Sequence, residues 1–129
     1  MPMISRGLLQ TATVLTKTTP TLMGAEIKCG GYDTITLFLD YVKGDETGLI
    51  ITPYVMYTAG GTAYQDQSWS AAGGAKTTTA NTFYMTASGN HFVTMDVTGV
   101  EFIKFMQSCA DGTPLGTVAA TYTLKGGVA

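Results

Sequence analysis

Charge is scarce in this 129-residue chain: 12% of its residues are Asp, Glu, Lys or Arg, and they sum to -2 at pH 7. That is about half the charged fraction of an ordinary soluble domain. The basic residues, Arg6, Lys17, Lys28, Lys43, Lys76, Lys104 and Lys125, stand singly along the sequence. They offer no stripe that a phosphate backbone could follow, which argues against a nucleic-acid partner. Long apolar runs are missing too. Neither the opening MPMISRGLLQTATVL nor any later stretch has the length of a signal-peptide core or a membrane span. The resulting expectation is a soluble protein made in a cytoplasm, with no membrane partner. Only two cysteines, Cys29 and Cys109, and one histidine, His91, are present. They fall short of a zinc site. Whether the cysteines bridge is open, with buried thiols the preferred reading.

What is abundant is threonine, serine, glycine and alternating apolar residues. The strongest pattern is DTITLFLDYVKGDETGLIITPYVMY, residues 33–57. Ile35, Leu37, Leu39 and Tyr41 share one parity, and Leu49, Ile51, Val55 and Tyr57 share one on the return. Side chains alternate across a strand, so these series predict two core-facing strands, read as a β-hairpin closed by Lys43, Gly44, Asp45 and Glu46. Further strands are expected at 8–16, 25–29, 63–69, from Thr82, over 91–97, 100–109 and 117–125, with SAAGGAKTTTAN (70–81) as a long loop. A short helix at Val100, Ile103 and Met106 is the alternative for 100–109, disfavoured by its β-branched and aromatic residues. The fold class expected is all-β, an antiparallel β-sandwich or jelly roll of about eight or nine strands. Residues 1–22 read as an N-terminal arm or extended segment, and 23–129 as a single β-sandwich domain. The paired glycines at 30–31, 60–61, 73–74 and 126–127 are unequally spaced and mark loops, not repeats.

Candidates for chemistry are few. His91 shares a face with Val93, Met95 and Val97, which favours a structural role over catalysis. Asp66, Asp96, Glu101 and Asp111 could pair as glycosidase carboxylates, but no spacing supports it. Asp40, Asp45 and Glu46 lack the dense carboxylates of a calcium loop, and a solvated turn explains them better. No catalytic residue, cofactor or metal ligand is therefore assigned. Tyr64 and Trp69 could form a sugar-stacking platform, against the plainer reading that Trp69 fills the core.

Tyr41, Lys43, Gly44, Asp45, Glu46 and Thr47 (YxKGDET), the later GGTAY, and Phe102, Ile103, Lys104 and Phe105 before a Gly-Thr close resemble small virion structural proteins of tailed bacteriophages. The resemblance covers residues 33 to 125. It implies a non-enzymatic role as a capsid decoration or cement protein, or a head-tail accessory, on the virion. The implied partners are a major capsid protein and copies of the chain itself, often a trimer. Low charge suits this, because a neutral surface costs less to desolvate. A carbohydrate-binding module, with glycans as ligands, and a tail or fibre subunit are the competing readings.

Overall fold

The computed structural model describes residues 3–16, 19–72 and 75–126, with side chains described at 4–16, 19–67 and 81–126. Its strands, in chain order, are β1 (Met3–Val14), β2 (Thr21–Leu22), β3 (Ile27–Lys28), β4 (Thr34–Val42), β5 (Leu49–Met56) and β6 (Ala63–Gln65), followed by β7 (Gln67–Ala72), β8 (Ala75–Ala80), β9 (Phe83–Met85), β10 (Gly89–Asp96), β11 (Phe102–Ser108) and β12 (Thr117–Gly126). No helix occurs among the described residues. One sheet has the order β1-β12-β4-β10, a second has β2-β11-β5-β6 with β3 and β9 beside it, and β7-β8 is a separate ribbon. All pairs are antiparallel. The molecule is an all-β sandwich, with ten strands in the two main sheets.

The core lies between the sheets. Ile35, Leu37, Leu39 and Tyr41 of β4 are each 2% exposed or less, and they meet Leu49, Ile51, Ile103 and Phe105 from the opposite sheet. Alternation in β11, with Ile103, Phe105 and Gln107 inward, excludes the helical alternative for this segment. The parity expected of β4 therefore holds. That of β5 holds through Ile51 and breaks at its end, where Met56 is buried and Tyr57 is 81% exposed.

Two expectations about strand pairing are corrected. Strands β4 and β5 do not form a hairpin: each belongs to a different sheet, and residues 43–48 carry the chain across the sandwich. Both strands have one strongly apolar face, and packing those faces on each other buries more apolar surface than hydrogen-bonding the strands side by side. Residues 75–80, expected in a loop, form β8 and pair with β7 from Gln67↔Ala80 to Ala72↔Ala75. Main-chain pairing between a serine- and alanine-rich segment and a threonine-rich one leaves little alternating apolar signal to read. Residues 3–14, within the segment read as an N-terminal arm or extended segment, are a strand paired to β12. Leu9 and Leu15 belong to the core. The β1 register shifts around Gln10, so Gln10 turns inward beside Leu9 and donates to Gln107 Oε1 (2.9 Å) and Val118 O (3.0 Å).

The crossing at 43–48 is held by a buried carboxylate. Glu46 is fully buried, not solvated as expected. It accepts hydrogen bonds from the Tyr41 hydroxyl, from Gly44 N–H (3.0 Å) and from Gly116 N–H (2.8 Å). Asp45 N–H donates to Pro114 O (2.8 Å), and Thr47 donates through N–H and hydroxyl to Asp111 Oδ1. A side chain at Gly44 would strike the backbone of Pro114 to Gly116. The segment YxKGDET is thus a clasp between the β4–β5 crossing and the β11–β12 connection.

Burial by itself would raise the Glu46 pKa, but the Tyr41 hydroxyl and the N–H groups of Glu46, Gly116 and Gly44 outweigh it and hold the carboxyl below the ordinary glutamate range. Glu46→Ala strands these donors in the interior and should lower the unfolding free energy by about 3 kcal/mol or more in denaturant titrations, because each buried unmet donor costs ~1–3 kcal/mol. The carboxylate's pH-linked contribution is complete above the ordinary glutamate pKa and is lost as pH falls through the lowered folded value. Acid unfolding followed by circular dichroism should therefore be less pH-dependent in Glu46→Gln, and an acid limb identical to wild type would clear Glu46 of this role.

Candidate functional site

Two kinds of candidate remain: clefts that gather polar side chains, and surfaces that expose apolar ones. Of the carboxylates considered for catalysis, Asp66 and Asp96 come to one cleft of about 390 Å³, lined also by Asn81, Thr82, Phe83, Thr94 and Met95. Asn81 Nδ2 donates to Asp66 Oδ2 (2.7 Å). Asp96 accepts from Thr98 N–H (2.8 Å), and this bond with the Thr98 hydroxyl lowers its pKa. Both carboxylates are engaged by neighbours, and the lowered pKa of Asp96 leaves that group poorly suited to act as a general acid. Glu101 lies at a different cleft, and Asp111 serves the clasp. His91 bonds through Nε2 to Ala87 O (2.9 Å).

The two cysteines are not joined. Burial, then the nearby Glu101 charge, pushes the Cys29 thiol up to about 11, while its Sγ faces Val100 O (3.5 Å); Cys109 Sγ faces Thr16 O (3.4 Å). A thiol so raised is a poor nucleophile at neutral pH.

Tyr64, placed on β6, is 60% exposed. Trp69 belongs to β7, and its side chain lies outside the described residues. The aromatic partner that the fold supplies to Tyr64 is Tyr57, which shares with it a cleft of about 160 Å³ lined by Val55, Met56, Gly99, Val100 and Glu101. Period-two reading hid Tyr57 by assigning it to the buried series; the strand ends at Met56, and the turn rotates the next residue outward.

Among the described side chains, the largest concentration of exposed apolar groups lies elsewhere. Six large hydrophobics with 45% to 68% exposure, Ile4, Leu8, Val14, Phe38, Val42 and Phe92, lie on the four-stranded sheet. Register makes part of this set a line. Leu8 pairs with Thr121, Thr121 with Phe38, and Phe38 with Phe92, so one row crosses all four strands on the outer face. The Phe38 and Phe92 ring centroids are 6.4 Å apart. Beside them the shifted register of β1 opens a depression of about 350 Å³, lined by Leu8, Thr11, Ala12, Phe38, Asp40, Ala119 and Thr121 among others. Such rows are unusual on a surface meant to face water, and they mark contact sites. No part of the row was foreseen: Phe38 and Phe92 fall on the outward-parity side of their strands, among threonines and aspartates that mask any apolar signal.

No protein-family model and no curated protein matches the chain. Solved structures do match. The crystal structure of SPBc2 prophage-derived protein YomS aligns over 97% of this chain and 95% of its own, with a TM-score of 0.56 and 16% identity. The infectious bursal disease virus VP2 subviral particle aligns over 98% of this chain (TM-score 0.55, 11% identity), and the virus of the Gx strain over 96% (TM-score 0.55, 10% identity). In those two cases this chain spans about a third of the viral chain, 33% and 32%. At such identities the likeness is one of fold.

If the outer row serves contact and not folding, Leu8→Ser and Phe92→Ser should each change the unfolding free energy by no more than ~0.5 kcal/mol. A loss of several kcal/mol in chemical denaturation would show instead that these side chains are packed.

Proposed function

We propose that this protein is a non-enzymatic structural component of a tailed-phage virion, a decoration or cement protein that stabilises the head by binding capsid subunits and copies of itself. The observation that carries this reading is the outer row of Leu8, Phe38 and Phe92, an apolar strip held flat on a four-stranded sheet. A cement protein acts by burying surface against neighbours, and its contact face has to be apolar, rigid and cheap to desolvate. The row meets these needs, with charges such as Arg6, Asp40, Asp96 and Lys125 in other register rows of the same sheet. The fold shared with a prophage-derived protein and with viral particle chains supports the same setting. In this reading the chain is made in the host cytoplasm and ends on the head surface. In this reading the chain binds no nucleic acid, in keeping with its net charge of -2 and with basic residues that stand singly along the sequence.

One observation favours glycan binding as a second reading. Tyr57 and Tyr64 are both exposed at one cleft beside the Glu101 carboxylate, a pairing of flat rings with a hydroxyl acceptor that suits a pyranose. Glycan-array signal that disappears in Tyr64→Ala and Tyr57→Ala would move the assignment there.

The particle test is direct. Phe38→Ser with Phe92→Ser should give a folded protein that is depleted from purified virions by at least tenfold, measured by quantitative mass spectrometry. Wild-type occupancy by the double variant would overturn the assignment of this face.

A further inference from the structure

A sheet edge is a row of unpaired N–H and C=O groups, and folded proteins usually shorten, charge or cover it. In this fold the edges of the second sheet are treated that way: β2 and β3 have two residues each, and β6 and β9 have three. The four-stranded sheet has two longer edges. The last residues of β10, Thr94 to Asp96, share their cleft with Asp66, Asn81, Thr82 and Phe83, so the end of that edge has neighbours beside it. Strand β1 is different, although its pairing with β12 shifts register between Leu8 and Gln10 and between Gln10 and Thr13. It is 12 residues long, contains no proline, carries Arg6 as its one charge, and has no partner on its free side among the described residues. It also exposes Ile4 (54%), Leu8 (65%) and Val14 (60%).

We infer that the free edge of β1 is a pairing site for β1 of a second copy of this chain, joined antiparallel about a two-fold axis near Leu8. The inference deepens the proposed virion role, on which it rests, by naming the contact through which copies meet. Three features favour a second copy as the occupant. Pairing about a two-fold axis closes on itself and uses up both free edges at once. It places two Leu8 side chains together, so the row Leu8–Thr121–Phe38–Phe92 continues into the neighbour as one apolar strip across eight strands. And with a single charge on the strand, a centre near Leu8 separates the two Arg6 guanidiniums, whereas like charges directly opposite would oppose pairing.

Size sets the strength. A strand of this length presents an edge of roughly 40 Å by 10 Å, about 400 Å², taking the usual rise per residue and sheet spacing. That is about half of the ~800 Å² per partner of a standard stable interface. The pair is therefore reversible in solution and depends on protein concentration.

Sedimentation velocity of the full chain should show the mass rising from 13.6 kDa towards twice that value with concentration. Leu8→Cys should trap a disulfide-linked dimer under mild oxidation, and Phe92→Cys, on the opposite edge strand, should not. Ile4→Lys with Leu8→Lys should abolish the association while keeping the wild-type circular dichroism spectrum. A species that stays monomeric at every concentration and gives no Leu8→Cys dimer overturns the inference, as does a trimer that survives the lysine pair. Its fate is separable from that of the virion role: a monomer that still joins particles removes only the β1 contact, and a β1 dimer excluded from particles removes only the role.

Discussion

A single buried carboxylate fastens the point where this chain crosses from one sheet to the other. Glu46 sits where the chain leaves one sheet and enters the other, and its oxygens take the Tyr41 hydroxyl and the N–H groups of Gly44 and Gly116. A charge in the interior is tolerable only when its lone pairs are met by donors. Here the donors come from both connections at that end of the sandwich, 43–48 and 109–116, so satisfying the carboxylate and closing the sandwich are one event. Gly44, Gly112 and Gly116 follow from the same constraint, because each packs backbone to backbone where a side chain would strike. The two sheets are also tied by Gln10 and Gln107, whose amides exchange hydrogen bonds between β1 and β11.

With the interior locked in this way, the outer faces are free to differ. The four-stranded sheet turns Leu8, Phe38 and Phe92 to solvent in a single register row, and its edge strand β1 adds Ile4 and Val14. The second sheet shows a mixed surface in which Tyr54, Lys104 and Met106 border one shallow hollow. Sparse charge means that contact at the first surface would meet little repulsion and would cost little hydration.

Much of the architecture was legible from residues alone. The alternation of Ile35, Leu37, Leu39 and Tyr41, and that of Ile103, Phe105 and Gln107, identified core-facing strands, because burial of one face imposes a period of two on the side chains. Buried, unbridged cysteines were the preferred reading of the sequence, and Cys29 and Cys109 are both. The site was much less so. Phe38 and Phe92 are far apart in sequence and become one surface only through pairing of β4 with β10. Tyr57 was misread as buried because alternation stops where the strand does.

Local sequence therefore determined strand character, inward parity and the neutral composition, all of which depend on interactions between near neighbours along the chain. Partner choice belonged to the tertiary structure. Whether β4 pairs with β5 or packs over it, whether Glu46 meets water or three donors, and whether residues 3–14 hang free or line a sheet all turn on contacts between segments distant in sequence. The same alternating pattern is compatible with either outcome in each case, and the free energy of burying two apolar faces against each other selects one.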